Sequence, residues 1–232
     1  MTKERYQFDN FYNNMYLPFI TRVHGNRAII MSYEEMEKKS QTCELLLVKK
    51  EKKYVAGLLI NYESINVPHL WHVGIKNGNA DSLKIGPRSA VDYFAANYLE
   101  QKGYKKINYG VVRGFLKDGV LRYKKQRGFR ITDSTENGFL IRPLLSSNGT
   151  REFFLNNPFI CVNRGSLVGA IFVESDQLCT DKDLKKLYKN YHIKGLSNLN
   201  IYLFGDDKRN ICESIPDDLS EKISIFDAAS IF

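Results

Sequence analysis

The chain has 232 residues, 43% of them hydrophobic, and a net charge of +8. That length supports one large domain or two small ones with a real core, and no apolar run reaches the roughly 20 residues a membrane span needs. The polar start MTKERYQFDN does not read as a secretion signal, so a cytoplasmic location is the expectation.

Residues 8–24 are dense in aromatics and contain Pro18, which predicts a broken helix or two short ones. Ser32 reads as the N-cap of a short helix over 33–39. In residues 43–63, two apolar runs flank a lysine-rich turn, a hairpin signature. The run HLWHVGIK (69–76) predicts a further strand. Strict alternation there puts His69 and Trp71 on one face and His72 on the other. Val91, Phe94, Ala95, Tyr98 and Leu99 fall at helical spacing between Pro87 and Gly103, which predicts a helix over 88–102. A strand over 105–109 follows. Asp118 then caps a helix over 119–127, with Val120 and Tyr123 facing the sheet, and strands are expected at 129–132 and 138–142.

Residues 146–151 are polar and read as a linker. Beyond them come a second hairpin over 158–175, a helix opened by a Thr180/Asp183 capping box, and a strand over 200–204. Two domains are therefore expected, 1–144 and 145–232. The first carries 24 basic against 14 acidic side chains, or +10, and the second 10 against 12, or −2. The basic surplus favours an anionic partner or serves as a solubilising lysine-rich surface. Cys43, Cys161, Cys179 and Cys212 show neither C-x-x-C nor zinc spacing and read as reduced thiols. VKKEKKYVAGLLI (48–60) and VNRGSLVGAIFV (162–173) echo one another as strand, basic turn and strand.

The order helix, hairpin, strand, turn-rich loop, helix, strand, helix resembles that of a GNAT acyltransferase. The blocks RSAVDYFAANYLEQKGYKKINYG (88–110) and FLKDGVLRYKKQRGF (115–129) are similar to its FemAB-like branch, the peptidoglycan-bridge aminoacyltransferases. The resemblance covers about residues 8–144. It implies an α/β fold, a GNAT-like mixed sheet flanked by helices, with 145–232 as a smaller α/β unit or a shortened second half. It further implies transfer of an acyl or aminoacyl group from an anionic donor to an amine on a small molecule or peptide. Aminoacyl-tRNA, acyl carrier protein and acyl-CoA are the candidate donors, and no resident cofactor is implied. LKIGPRSA (83–90) departs from the glycine-rich phosphate loop of CoA-dependent relatives, since it has one glycine and Pro87 lacks an N–H.

Acyl transfer requires an amine that loses a proton, a stabilised oxyanion and a held donor. By family likeness Lys124 is the first functional lysine. It lies in a basic run with Arg122, Lys125, Arg127 and Arg130 that suits phosphate or an oxyanion. Tyr123 is the nearest counterpart of the family's acid, although it lies six residues before Phe129 where the pattern has five. Arg113, following the 105–109 strand, could clamp a carboxylate or phosphate. His72 and Glu63 are candidate bases, and Trp71 and Tyr16 are candidate substrate contacts. Each has an ordinary structural alternative: a solvated basic helix face, a hydrogen-bonded histidine or a core aromatic. Two competing functions are a GNAT-fold binding or scaffold module without catalysis and a nucleic-acid-binding domain, for which no recognised motif is present.

Overall fold

Phe8, Phe11, Tyr12, Met15 and Tyr16 follow helical spacing, and all five are buried. They belong to α1 (Arg5–Phe11) and to a π-helical turn (Tyr12–Tyr16) that leads directly into α2 (Leu17–His24). The expected break in this region is thus a widened turn ahead of Pro18. The computed structural model describes residues 1–78, 86–132, 138–178, 180–205 and 215–231. It is a mixed α/β protein whose chain divides into two compact units, 1–111 and 112–232.

In the first unit, α3 (Tyr33–Ser40) starts where Ser32 Oγ accepts from the Glu35 N–H at 3.2 Å. Strands β1 (Cys43–Lys50), β2 (Lys53–Asn61) and β3 (His69–Ile75) form an antiparallel sheet in the order β1-β2-β3. Helix α4 (Pro87–Gln101) covers one face with Val91, Ala95 and Leu99, all fully buried, against Leu58, Ile60, Leu70 and Ile75. The π turn covers the other face. Gly74 permits the close approach, because a Cβ there would stand 2.6 Å from the Tyr16 backbone nitrogen.

The strand expected over 105–109 is reduced to one parallel bridge, His69 to Asn108. The Leu70 N–H donates to the Asn108 carbonyl at 2.8 Å, and the Asn108 N–H donates to that of Pro68 at 2.8 Å. Gly110, at φ 74°, then turns the chain out of extended geometry.

In the second unit, β4 (Phe159–Asn163) and β5 (Ser166–Glu174) form the predicted second hairpin. Helix α7 (Asp181–Tyr191) carries the chain to β6 (Asn198–Phe204), parallel to β5, and β7 (Ile223–Asp227) lies parallel to β6. The hairpin echo is therefore real, but the two hairpins continue differently: antiparallel β3 follows the first, and a helical crossover follows the second. The Thr180/Asp183 capping box is formed as read.

Three expectations for the middle of the chain differ from the structure. The residues at 129–132 and 138–142 form no strand. Instead the Ile131 N–H donates to the Lys194 carbonyl at 2.8 Å. The polar stretch at 146–151 is a helix start, with Ser147 capping α6 (Asn148–Asn156). The chain passes from the first unit to the second between Val111 and Val112, upstream of 144, because residues 114–116 pair with the outer edge of β4. Leu116 and Leu121 then enter the core formed by Ile171, Leu199 and Ile201. So α5 (Gly119–Gln126), read as the last helix of the first domain, packs in the second unit.

A half-buried carboxylate fastens α4 to the first sheet. Glu44 Oε2 accepts from Tyr98 Oη at 2.7 Å, Tyr62 Oη at 2.9 Å and Lys102 Nζ at 3.0 Å. Burial alone raises the Glu44 pKa, but the bonds from Tyr98, Lys102 and Tyr62 outweigh it and hold the group below the usual carboxylate range. A carboxyl whose folded pKa is depressed stabilises the fold above its unfolded pKa of about 4.3, and that contribution is lost as pH falls through the folded value. Glu44→Ala is expected to cost about 1–3 kcal/mol at pH 7. Denaturant unfolding should show the wild-type advantage shrinking as the pH is lowered below about 4. An equal gap at pH 7 and under acid conditions would contradict the ionised state assigned to Glu44.

Candidate active site around the bulged strand

The pairing of β3 with β2 is irregular at one point. Leu59 faces His72 and Ile60 faces Leu70, so Trp71 has no partner and forms a β-bulge. A bulge re-aims the side chains that follow it and bends the strand. Alternation is lost here: Leu70, Val73 and Ile75 all join the core beneath α4. The expected opposition of Trp71 and His72 is not found. Both rings turn toward the π turn, with centroids 4.3 Å apart, and His72 lies 5.0 Å from Tyr16.

These three aromatic groups form one nest. Lys39 Nζ stands 4.8 Å from the centre of the Trp71 ring, a cation–π contact. Tyr16 is 1% exposed, and its hydroxyl accepts from the Met31 N–H at 3.1 Å. That commits Tyr16 to the core and removes it as a substrate platform. His72 Nε2 is buried with no hydrogen-bond partner among the described residues. Burial, helped by the charges of His69 and Lys39, lowers the His72 pKa to about 4. Its imidazole is therefore neutral near pH 7, with Nε2 sealed from solvent.

Glu63 does not join the nest. It is exposed on the turn after β2, where its N–H donates to Asn61 Oδ1 at 2.7 Å and its charge contributes to the raised pKa of the buried Cys43 thiol. Among the described residues no group of His, Cys, Asp or Glu is arranged to hold a metal ion, and no helix is long and apolar enough to cross a membrane. Part of the loop at 83–90 lies outside the described residues, as do Cys179 and Cys212.

The bulge coincides with the end of a ladder. On the outer side of β3 the bond from the Leu70 N–H to Asn108 immediately precedes Trp71, and among the described residues no backbone pairing continues beyond it. Two parallel segments joined by α4 thus meet at one rung and then part. In parallel α/β arrangements ligands lie beyond the carboxyl ends of strands.

The remaining sequence candidates belong to the second unit. Arg113 is exposed ahead of the 114–116 pairing, and Arg122 is exposed on α5. The phase of α5 differs from expectation: Val120 is 53% exposed, and Leu121, at 2%, is the anchor. Lys124 and Lys125 follow Leu121 at i+3 and i+4 and are half-buried. Lys125 Nζ donates to the carbonyls of Lys189 and Asn190, both at 2.6 Å, and so caps the C-terminus of α7. Sequence reasoning missed this role, although the Leu121–Lys125 spacing carried a signal for it. Arg127 lies 3.5 Å from the centre of the Tyr123 ring, so two proposed site residues stack on one another. The first unit therefore gathers Trp71, His72 and Tyr16, and α5 carries Arg122, Tyr123 and Lys124, with Arg127 directly after its last residue.

Neutral, buried His72 has a direct signature. Its imidazole nitrogens, followed by nitrogen-15 NMR, should show no protonation until the pH approaches about 4. Because the folded pKa is depressed, stability should decline as the pH falls below the unfolded value of about 6.5. Midpoint protonation of His72 between about 6 and 7 would contradict this burial. Comparisons with protein-family models, curated proteins and solved structures return no match for this chain.

Proposed function

We propose that the first unit is an acyl- or aminoacyl-transfer domain that holds an extended donor beside β3, where the ladder to Asn108 ends. The carrying observation is the single parallel rung at Leu70 and Asn108, placed directly before the Trp71 bulge. A strand edge whose pairing stops offers N–H and C=O groups to an amide-bearing chain, the physics of strand addition. The resemblance of residues 88–110 to the FemAB-like branch supports the same reading. Residues 1–111 carry 16 basic against 11 acidic side chains, or +5, which suits a donor that carries phosphate: aminoacyl-tRNA, acyl carrier protein or a CoA ester.

In the reaction, an amine nitrogen attacks the donor carbonyl carbon. A C–N bond forms, the C–S or C–O bond to the carrier breaks, and the amine proton ends on the leaving thiolate or alkoxide. The resemblance also singles out Lys124, which belongs to the second unit, and no step at β3 is assigned to it. His72 Nε2, being sealed, is not the group that receives the proton. Trp71 fits the role of a donor-side reporter, since it is the bulged residue directly after the last rung.

A second reading, a binding module without catalysis, is favoured by the same histidine, because the nest spends its one buried base on packing. Both readings are separated in one experiment, since Trp71 is the single tryptophan. The chain is titrated with acetyl-CoA, acyl carrier protein loaded with an acyl group, and aminoacyl-tRNA, each with and without an amine acceptor. Transfer predicts that one donor class changes Trp71 emission and that mass spectrometry finds the acylated amine. An emission change with no product selects the binding module. No emission change with any donor overturns both readings.

A further inference from the structure

The charges of the second unit are segregated along its sheet. β5, β6 and β7 run parallel, so their first residues, Ser166, Asn198 and Ile223, lie at one end. Backbone bonds tie the segments of that end together. The Ser197 N–H donates to the Leu167 carbonyl at 2.8 Å, the Leu199 N–H to that of Lys222 at 2.9 Å, and the Ile131 N–H to that of Lys194 at 2.8 Å. Helices α5 and α7 also end here, since Lys125 Nζ reaches the carbonyls of Lys189 and Asn190, both at 2.6 Å.

Basic side chains converge with these segments. The end of α5 and the stretch after it supply Lys124, Lys125, Arg127 and Arg130. Arg164 stands in the β4–β5 turn, and Lys189 on the last turn of α7. Lys194 lies in the loop to β6, and Lys222 directly precedes β7. The acidic side chains of the same end are Asp217, Asp218 and Glu221, and Asp218 pairs with a ninth cation, Lys185, at 3.1 Å. Nine cations against three carboxylates leave a formal surplus of +6 among the described residues. The residues of this unit outside the described ones carry five carboxylates and two cations, or −3, so a surplus survives wherever they lie. The other end of β5 has the opposite sign, with Glu174, Asp176, Asp181 and Asp183 against Lys182 over residues 174–183. Helix C-termini account for only part of the basic surplus. Each carries roughly −0.5 of a charge, so α5 and α7 together offset about one cation.

The same end carries further groups suited to a sugar–phosphate chain. Asn163, Ser166, Asn190 and Ser197 are exposed there, and such amides and hydroxyls share phosphate contacts with Lys and Arg. Tyr188 and His192, both half-buried, stack with centroids 4.6 Å apart and 15° between their planes. Burial lowers the His192 pKa, and the charges of Lys125 and Lys222 lower it further, so the ring pair lies within reach of two ammonium groups. Among the described residues of this end, Val162 is the one large hydrophobic side chain that is strongly exposed, too little apolar surface to enter a bilayer.

We propose that this end of the second unit binds single-stranded nucleic acid, its cations and polar side chains holding phosphates and the Tyr188–His192 pair meeting an unstacked base. Base–aromatic stacking beside a basic track is how single strands are held without sequence readout. Such binding does not require acyl transfer at β3.

The test uses the full chain and a fluorescein-labelled uridine oligomer of about 12 nucleotides, within the range of about 4–16 that single-strand binders cover. Fluorescence anisotropy at about 50 mM salt should show binding that weakens steeply as salt is added, because each neutralised phosphate contributes about −0.7 to the slope of log K against log salt. Lys189→Gln/Lys194→Gln should weaken binding about tenfold and flatten that slope by about 1.4. Lys52→Gln/Lys53→Gln removes the same charge from the first hairpin and should leave both values unchanged. All four lysines are exposed, so the melting temperatures of the free variants should match wild type. Should Lys189→Gln/Lys194→Gln melt lower, Arg130→Gln/Arg164→Gln supplies the same loss from two other segments. No binding at low salt, equal loss in both lysine pairs, or full affinity in Lys189→Gln/Lys194→Gln and in the arginine pair would each overturn the proposal. So would a duplex of the same length, polyglutamate or phosphatidylserine vesicles binding as tightly as the single strand.

Discussion

One extra residue in β3 sets the geometry of the first unit. Trp71 has no partner on β2, and the strand on its two sides is therefore out of phase. Leu70 before it and Val73 after it both reach the core under α4. Trp71 and His72, adjacent in sequence, both turn to the π-helical turn, which a regular strand forbids. The same bend occurs where pairing with Asn108 stops. The wide turn at Tyr12–Tyr16 complements it, bringing backbone against Gly74 and the Tyr16 ring against His72. π turns and bulges are both enriched at functional sites, and here the two irregularities face one another.

The second unit depends on an omission. β4 stops at Pro158, and β5 is left with a neighbour on one side over its last four residues. The 114–116 segment pairs with β4 further out, and α5 docks through Leu121 while Lys125 satisfies the last carbonyls of α7. That lysine is partly buried, which lowers its pKa, yet its two carbonyl partners keep the ammonium bonded. Electropositive character on α5 and at its C-cap is therefore divided. Lys125 serves the fold, Arg127 stacks on Tyr123, and the exposed Arg122 faces solvent.

The features most legible in the sequence are those fixed by short-range chemistry. Ser32, Asp118 and the Thr180/Asp183 pair cap helices as their spacing implies, because a cap needs only its own first turn. The stripe from Val91 to Leu99 identifies α4 and its buried face. Features that depend on a distant partner were not legible. HLWHVGI remains an apolar run whether or not Trp71 is bulged, since the pairing with β2 decides it. In α5, Val120 and Leu121 are neighbours of similar hydrophobicity, and only the core around Ile171 and Leu199 selects Leu121. The boundary at Val111 and Val112 is apolar and leaves no compositional trace, whereas the polar 146–151 stretch that looks like a linker begins a helix.

The central claim is that the outer ladder of β3 ends at Leu70 and leaves the bulged part of the strand available to an extended acyl donor. Residue-resolved amide hydrogen exchange across β3, with and without a saturating CoA ester or aminoacyl-tRNA, tests it most directly. The account predicts that in the free chain the Leu70 and Asn108 amides exchange slowly, as paired groups do, and that a donor adds protection beyond Trp71 while leaving Leu70 unchanged. Slow exchange unaffected by any donor throughout residues 71–75, or fast exchange at Leu70 itself, would contradict it.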